Sequence, residues 1–185
     1  LSKILIRNTV IIAILAASVG YSLMSFIMTA TPLQIVNVCK LGDSASATVI
    51  QWHVIAMFAP SFFTGSIINF LGNRKVMMIG VLIYVISICV GVMDQTIQYF
   101  WISLFLCGLG WNFLYVGGSD IIAKSALPEE RAKVQGVTDF IIFIFVASGS
   151  FLAGSLHNNL GWEIMMFYTS IPIFILFLSI VFINP

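Results

Sequence analysis

The sequence predicts an all-α membrane protein in which six transmembrane helices form two three-helix repeats of inverted topology. Three observations carry that expectation. The 185-residue chain is 60% hydrophobic and only 8% charged, with a mean hydropathy of +1.08. A soluble domain carries roughly 25% charged residues, so there is too little polar surface here to keep the chain in water. Six apolar segments are long enough for the roughly 20 residues that cross a bilayer core. Residues 61–77, SFFTGSIINFLGNRKVM, recur 89 positions later as residues 150–166, SFLAGSLHNNLGWEIMM, with 8 of 17 positions identical.

The expected spans are about 9–34, 47–70, 75–93, 98–120, 137–157 and 163–183, in one domain covering 1–185. The first follows Lys3 and Arg7 and is too long for the roughly 7–15-residue apolar core of a signal peptide. A start at Leu1 rather than Met is what a fragment would show. The second and third spans meet at LGNRK and so require a tight hairpin. Gly65, Gly72, Gly154 and Gly161 are expected to serve close helix approach or sharp turns at the two repeat junctions. Pro32, Pro60 and Pro172 fall inside spans, where a missing N–H kinks a helix. In AKSALPEERAKVQG, Glu129 and Glu130 after Pro128 read as the first turn of a short surface helix. Asp139 follows Thr138 at the expected start of span five, where a carboxylate satisfies free N–H groups.

Charge sets the expected orientation. With a cytoplasmic N-terminus, Lys3, Arg7, Arg74, Lys75, Lys124, Arg131 and Lys133 fall inside and only Lys40 falls outside, which the positive-inside rule favours. Both termini are then cytoplasmic. The repeated segments sit at the span two–three and span five–six junctions, three crossings apart and so on opposite faces. That explains why the first copy keeps Arg74 and Lys75 while the second carries Glu163. Inverted repeats of this kind characterise secondary transporters.

The inner hairpin, Gly65 through Lys75 (GSIINFLGNRK), resembles the G-x-x-x-D-R-x-G-R-R loop of the major facilitator superfamily. Gly65, Gly72, Arg74 and Lys75 match, while Asn69 stands where the family usually has Asp. PEERAKVQG, QWHVIAMFAPSFFTG and GWNFLYVGG resemble further segments of one bacterial branch. The resemblance implies half of a twelve-helix fold: the C-terminal six helices, whose partner is an N-terminal six-helix half around a central cavity. It further implies alternating access, often coupled to protons, in an inner membrane. It makes spans one and four the cavity wall, and gives Gly65, Asn69, Gly72, Arg74 and Lys75 a gate role.

Asn112, Tyr115 and Ser119 share one face of span four at i, i+3, i+7, and an unpaired amide at membrane depth is costly. Tyr21, Trp111, Asn112 and Tyr115 are therefore the substrate-facing candidates, with interhelical packing as the rival reading for each. His53 and Asp139 are the candidate proton sites; for His53 hydration at the outer interface is the alternative. Asp120 and Lys124 suit an i, i+4 ion pair. Cys39, Cys89 and Cys107 have no metal or disulfide pattern, and no catalytic constellation, cofactor motif or nucleic-acid feature is found. The reading is secondary transport of a small organic solute across the lipid bilayer. A non-transporting six-helix scaffold and a half-size protein that dimerises remain as alternatives.

Overall fold

A computed structural model describes residues 2–181, with the side chains of Ser2 and Lys3 excluded. Lys3 and the last two residues of the expected sixth span therefore lie outside the described side chains and residues. The elements are α1 (Ser2–Leu5), α2 (Asn8–Pro32, continuing as a π-helix over Leu33–Val38), α3 (Asp43–Phe58), α4 (Ser61–Leu71), α5 (Asn73–Met93), α6 (Ile97–Ser125), α7 (Arg131–Leu160) and α8 (Trp162–Val181). No strand occurs among the described residues. Five helices are long and apolar enough to cross a membrane, and α3 with α4 makes the sixth crossing, bent by 42°.

The bend falls at Pro60, as the missing N–H requires. Pro32 marks a different break: there the α-helix gives way to the π-turn, with the Cys39 N–H reaching back to the Gln34 carbonyl. Span five begins earlier than expected. Pro128, Glu129 and Glu130 form a turn that leads straight into α7 at Arg131, so there is no separate surface helix. Asp139 consequently lies two turns inside α7, and its expected capping role does not hold.

Both repeat junctions are single-residue corners. Gly72 (φ +83°) and Gly161 (φ +76°) occupy the left-handed side of backbone space that glycine adopts without a Cβ clash. Each closes the preceding helix by an N–H bond four residues back, to Ile68 and His157. The burial phase also repeats: Thr64 and Ile68 are buried in α4, and their counterparts Ala153 and His157 are buried in α7. Gly65 and Gly154 behave otherwise. A Cβ on Gly65 would meet nothing, and one on Gly154 only the Leu33 side chain at 4.0 Å. The expectation of close approach at these two glycines is therefore corrected; the tight approaches lie elsewhere, at Gly108, Gly118 and Gly149.

The inverted arrangement extends to packing. α2 packs along α7 as α6 packs along α3, and α2 meets α6 while α5 meets both α6 and α8. Reciprocal bonds tie α5 to α6, with Ser87 Oγ donating to the Ser103 carbonyl (2.7 Å) and Ser103 Oγ to the Ser87 carbonyl (2.8 Å). The described basic side chains Arg7, Arg74, Lys75, Lys124, Arg131 and Lys133 belong to helix ends that meet at one end of the bundle, and Lys40 lies at the other.

Candidate functional site

Small residues bring α2 and α6 together. A Cβ on Gly118 would stand 2.6 Å from the Ala13 carbonyl oxygen, and one on Gly20 would stand 3.0 Å from the Leu114 Cβ. Such closeness lets large side chains one turn away meet across the seam. Tyr21 of α2 lies edge-on to Trp111 (centroids 5.1 Å, 71°) and to Tyr115 (5.4 Å, 78°) of α6. Trp111 and Tyr115, i and i+4 on one helix, stack at 5.1 Å and 8°. Phe143 of α7 reaches Tyr21 at 5.8 Å, and Phe58 at the end of α3 reaches Trp111 at 5.8 Å. Pairs of this geometry contribute about 0.5–1.5 kcal/mol each beyond burial.

Three of the four substrate-facing candidates thus come together, with Tyr21 and Tyr115 half-buried and Trp111 buried. The Trp111 Nε1–H is buried without a hydrogen-bond partner, leaving a donor unused in a ring-lined place. The fourth candidate does not join them. Asn112 is fully buried, and its amide is engaged by the bent crossing: Nδ2 donates to the Met57 carbonyl (2.7 Å) and to Ser61 Oγ (2.6 Å), and Oδ1 accepts from Thr64 Oγ1 (2.6 Å). For Asn112 the packing alternative describes the geometry.

The two proton candidates also part company. Asp139 is half-buried on α7, accepts a bond from Gln135 Nε2 (2.9 Å), and stands one turn before Phe143, whose ring reaches Tyr21. It therefore borders the ring cluster. His53 is fully buried against α6 rather than hydrated, which overturns the interfacial alternative. Its Nδ1 donates to the Leu104 carbonyl at 2.7 Å, since a carbonyl only accepts, and Nε2 is buried without a partner.

At the basic end, the hairpin residues are held unequally. Arg74 donates to the Val181 carbonyl of α8 (2.7 Å), Lys75 is exposed, and Asn69 and Gly65 are exposed. The polar anchor of this corner is a residue the motif did not single out. Asn73 Nδ2 donates to the Gly117 carbonyl (2.9 Å) and to Asp120 Oδ2 (2.8 Å), and the same Asp120 oxygen pairs with Lys124 (2.6 Å). The Asp120–Lys124 pair matches its i, i+4 expectation.

The opposite end holds a polar network that the linear pattern did not suggest. His157 Nε2 donates to Gln34 Oε1 (2.8 Å), Gln34 Nε2 to Gln95 Oε1 (2.6 Å), and Gln95 Nε2 to Glu163 Oε1 (3.3 Å). Burial pushes the Cys39 thiol above its usual pKa, so it stays protonated and donates to the same Gln95 oxygen (3.3 Å). Gln34, Gln95, His157 and Glu163, drawn from α2, the α5–α6 turn, α7 and α8, line a recess of about 480 Å³. Phe58, Phe143, Gln34 and Gln95 were missed because each joins its partners across helices. Only the i, i+4 spacing of Phe143 from Asp139 was a usable signal.

Six apolar crossings in an inverted double triplet, with a ring-lined seam between the first and fourth, define a polytopic helical membrane protein. The chain belongs to the Major Facilitator Superfamily, which it matches over residues 4–185. Among curated relatives, the riboflavin transporter RfnT of Brucella anthropi is 41% identical over 163 residues, covering 88% of this chain and 41% of that protein. The uncharacterized MFS-type transporter YdeG of Bacillus subtilis is 35% identical over 133 residues, covering 69% and 30%. The riboflavin transporter RibZ of Clostridioides difficile is 24% identical over 145 residues, covering 77% and 32%. The chain thus spans less than half the length of these relatives.

Proposed function

We propose that this chain forms the C-terminal six-helix half of a secondary transporter that moves a planar heteroaromatic solute of the riboflavin kind by alternating access. The observation that carries the reading is the ring cluster of Tyr21, Trp111 and Tyr115 on the seam of the first and fourth crossings, together with two relatives named for riboflavin transport. A flat ring system enters such a site by stacking, at about 0.5–1.5 kcal/mol per ring pair. A ring carbonyl would accept from the unused Trp111 Nε1–H, recovering part of the roughly 1–3 kcal/mol that an unpaired buried donor costs.

The complementary wall comes from an N-terminal six-helix half. The rings of Phe62, Phe63 and Phe70 on α4 and of Phe140 and Phe151 on α7 are all more than 60% exposed, which leaves apolar faces for that half and for lipid. The basic end is cytoplasmic, by the positive-inside rule. Asp139 serves as the proton site, because a carboxylate at membrane depth beside the solute wall can exchange a proton as the solute comes and goes. Arg74 and Lys75 act at the inner gate, Arg74 by holding the end of α8.

Uptake of labelled riboflavin by proteoliposomes of the complete transporter tests this. Trp111→Ala should raise the half-saturation concentration about 10-fold, equal to roughly 1.4 kcal/mol. Asp139→Asn should abolish the response to an imposed pH gradient. Unchanged half-saturation in both Trp111→Ala and Tyr115→Ala would overturn the assigned site.

A further inference from the structure

We propose that Asn112 is a positioning residue for the solute site: it staples the break between α3 and α4 and so fixes Phe58 against Trp111. This rests on the ring cluster being the solute site. Pro60 has no N–H, so the Ala56 carbonyl loses its helical partner, and the break disturbs its neighbours too. The first N–H groups beyond it bond short, Phe62 to the Ala59 carbonyl and Phe63 to the Pro60 carbonyl, before Thr64 restores the four-residue bond to Pro60. The Met57 carbonyl is taken instead by Asn112 Nδ2. Asn112 also binds Ser61 and Thr64 on the far side of the break. One amide therefore grips both arms of the bend at once, fully buried. Phe58 directly follows Met57, and Trp111 directly precedes Asn112. Any change in the bend moves the Phe58 ring relative to Trp111, now 5.8 Å away.

The second repeat shows what the same interface does without a proline. At the 89-residue offset, Ser61 corresponds to Ser150, Pro60 to Gly149 and Ala56 to Phe145. There Ser22 donates to the Phe145 carbonyl (2.8 Å) and Ser25 shares a hydrogen bond with Ser150 (2.6 Å). α7 runs unbroken through the position. Two hydroxyls suffice on a continuous helix, and the longer, three-bond amide stands where the helix is broken.

The test uses spin labels at Ser44 and Asn69, exposed positions on either side of the break, in the complete transporter. Asn112→Ala should widen the label–label distance distribution and raise the riboflavin half-saturation at least five-fold, with the maximal rate per folded molecule within two-fold. Pro60→Ala placed in the Asn112→Ala protein should narrow the distribution again, because the Ala56 carbonyl regains its helical N–H partner and the helix can close across residue 60. Asn112→Ser, a small polar side chain too short to bridge the break, gives the same reading if the alanine protein fails to insert. A wild-type distance distribution in the variant, or a lost rate with half-saturation unchanged, would overturn the proposal. A wild-type protein that moves no riboflavin would defeat the functional assignment alone, since the label distances still decide the role of Asn112.

Discussion

Replacing Gly118 by alanine tests whether the α2–α6 seam is set by backbone contact. The new Cβ would stand 2.6 Å from the Ala13 carbonyl oxygen and 3.4 Å from the Ala17 Cβ. A comfortable carbon–oxygen contact is about 3.3–3.6 Å, so the helices must part by roughly 0.7 Å. A gap of that size forfeits a quarter to a half of the dispersion energy of each contact it opens, and overpacking of this kind costs about 1–3 kcal/mol. Near 2 kcal/mol, a chain of this size should melt about 4–8 °C lower. Tyr21, one turn from Ala17, should retreat from Trp111 and Tyr115 with its helix. The control is Gly136→Ala in α7, where a Cβ meets nothing and alanine is expected to stabilise by about 0.5–1 kcal/mol. Thermal unfolding of purified protein in detergent, followed by tryptophan emission, measures both. Equal melting temperatures for Gly118→Ala and wild type would refute the close-contact account of the seam.

Two further outcomes follow from the repeat. Gly72→Ala and Gly161→Ala should each lower stability by about 1–3 kcal/mol, the cost of a side chain in the extended positive-φ region that only glycine readily adopts, measured by the same unfolding assay. Cysteines placed at Lys75 and at Glu163 should react with a membrane-impermeant maleimide from opposite faces of sealed vesicles; labelling from one face would remove the inverted topology.

Much of the fold was legible because lipid imposes a simple demand. Every crossing must satisfy its own backbone bonds and be about 20 residues long, so runs of apolar residues locate helices within a few positions. The repeat was visible because Gly72 and Gly161 face the same backbone requirement at both corners. The start of α7 was misjudged because Arg131–Gly136 is polar, and polarity marks the membrane boundary rather than the helix boundary. The site was only partly legible. Tyr21, Trp111 and Tyr115 meet because small residues on α2 and α6 allow it, and those small residues stood in the sequence. For Asn112 the sequence left substrate contact and interhelical packing both open, because helical spacing says which face a residue shares but not which neighbour claims it. The His157–Gln34–Gln95–Glu163 network joins residues up to 129 positions apart, and nothing local announces such a meeting.

The two glycine corners also decide where this bundle can flex. With a lone residue between α4 and α5, and another between α7 and α8, neither pair has slack to slide lengthwise without dragging its mate. Each behaves as a stiff strut with an elbow at one end. Compliance is left to the longer links, residues 39–42, 94–96 and 126–130, and to the notch at Pro60. Any bending within this bundle must be taken up at those four places, one of them inside an apolar crossing.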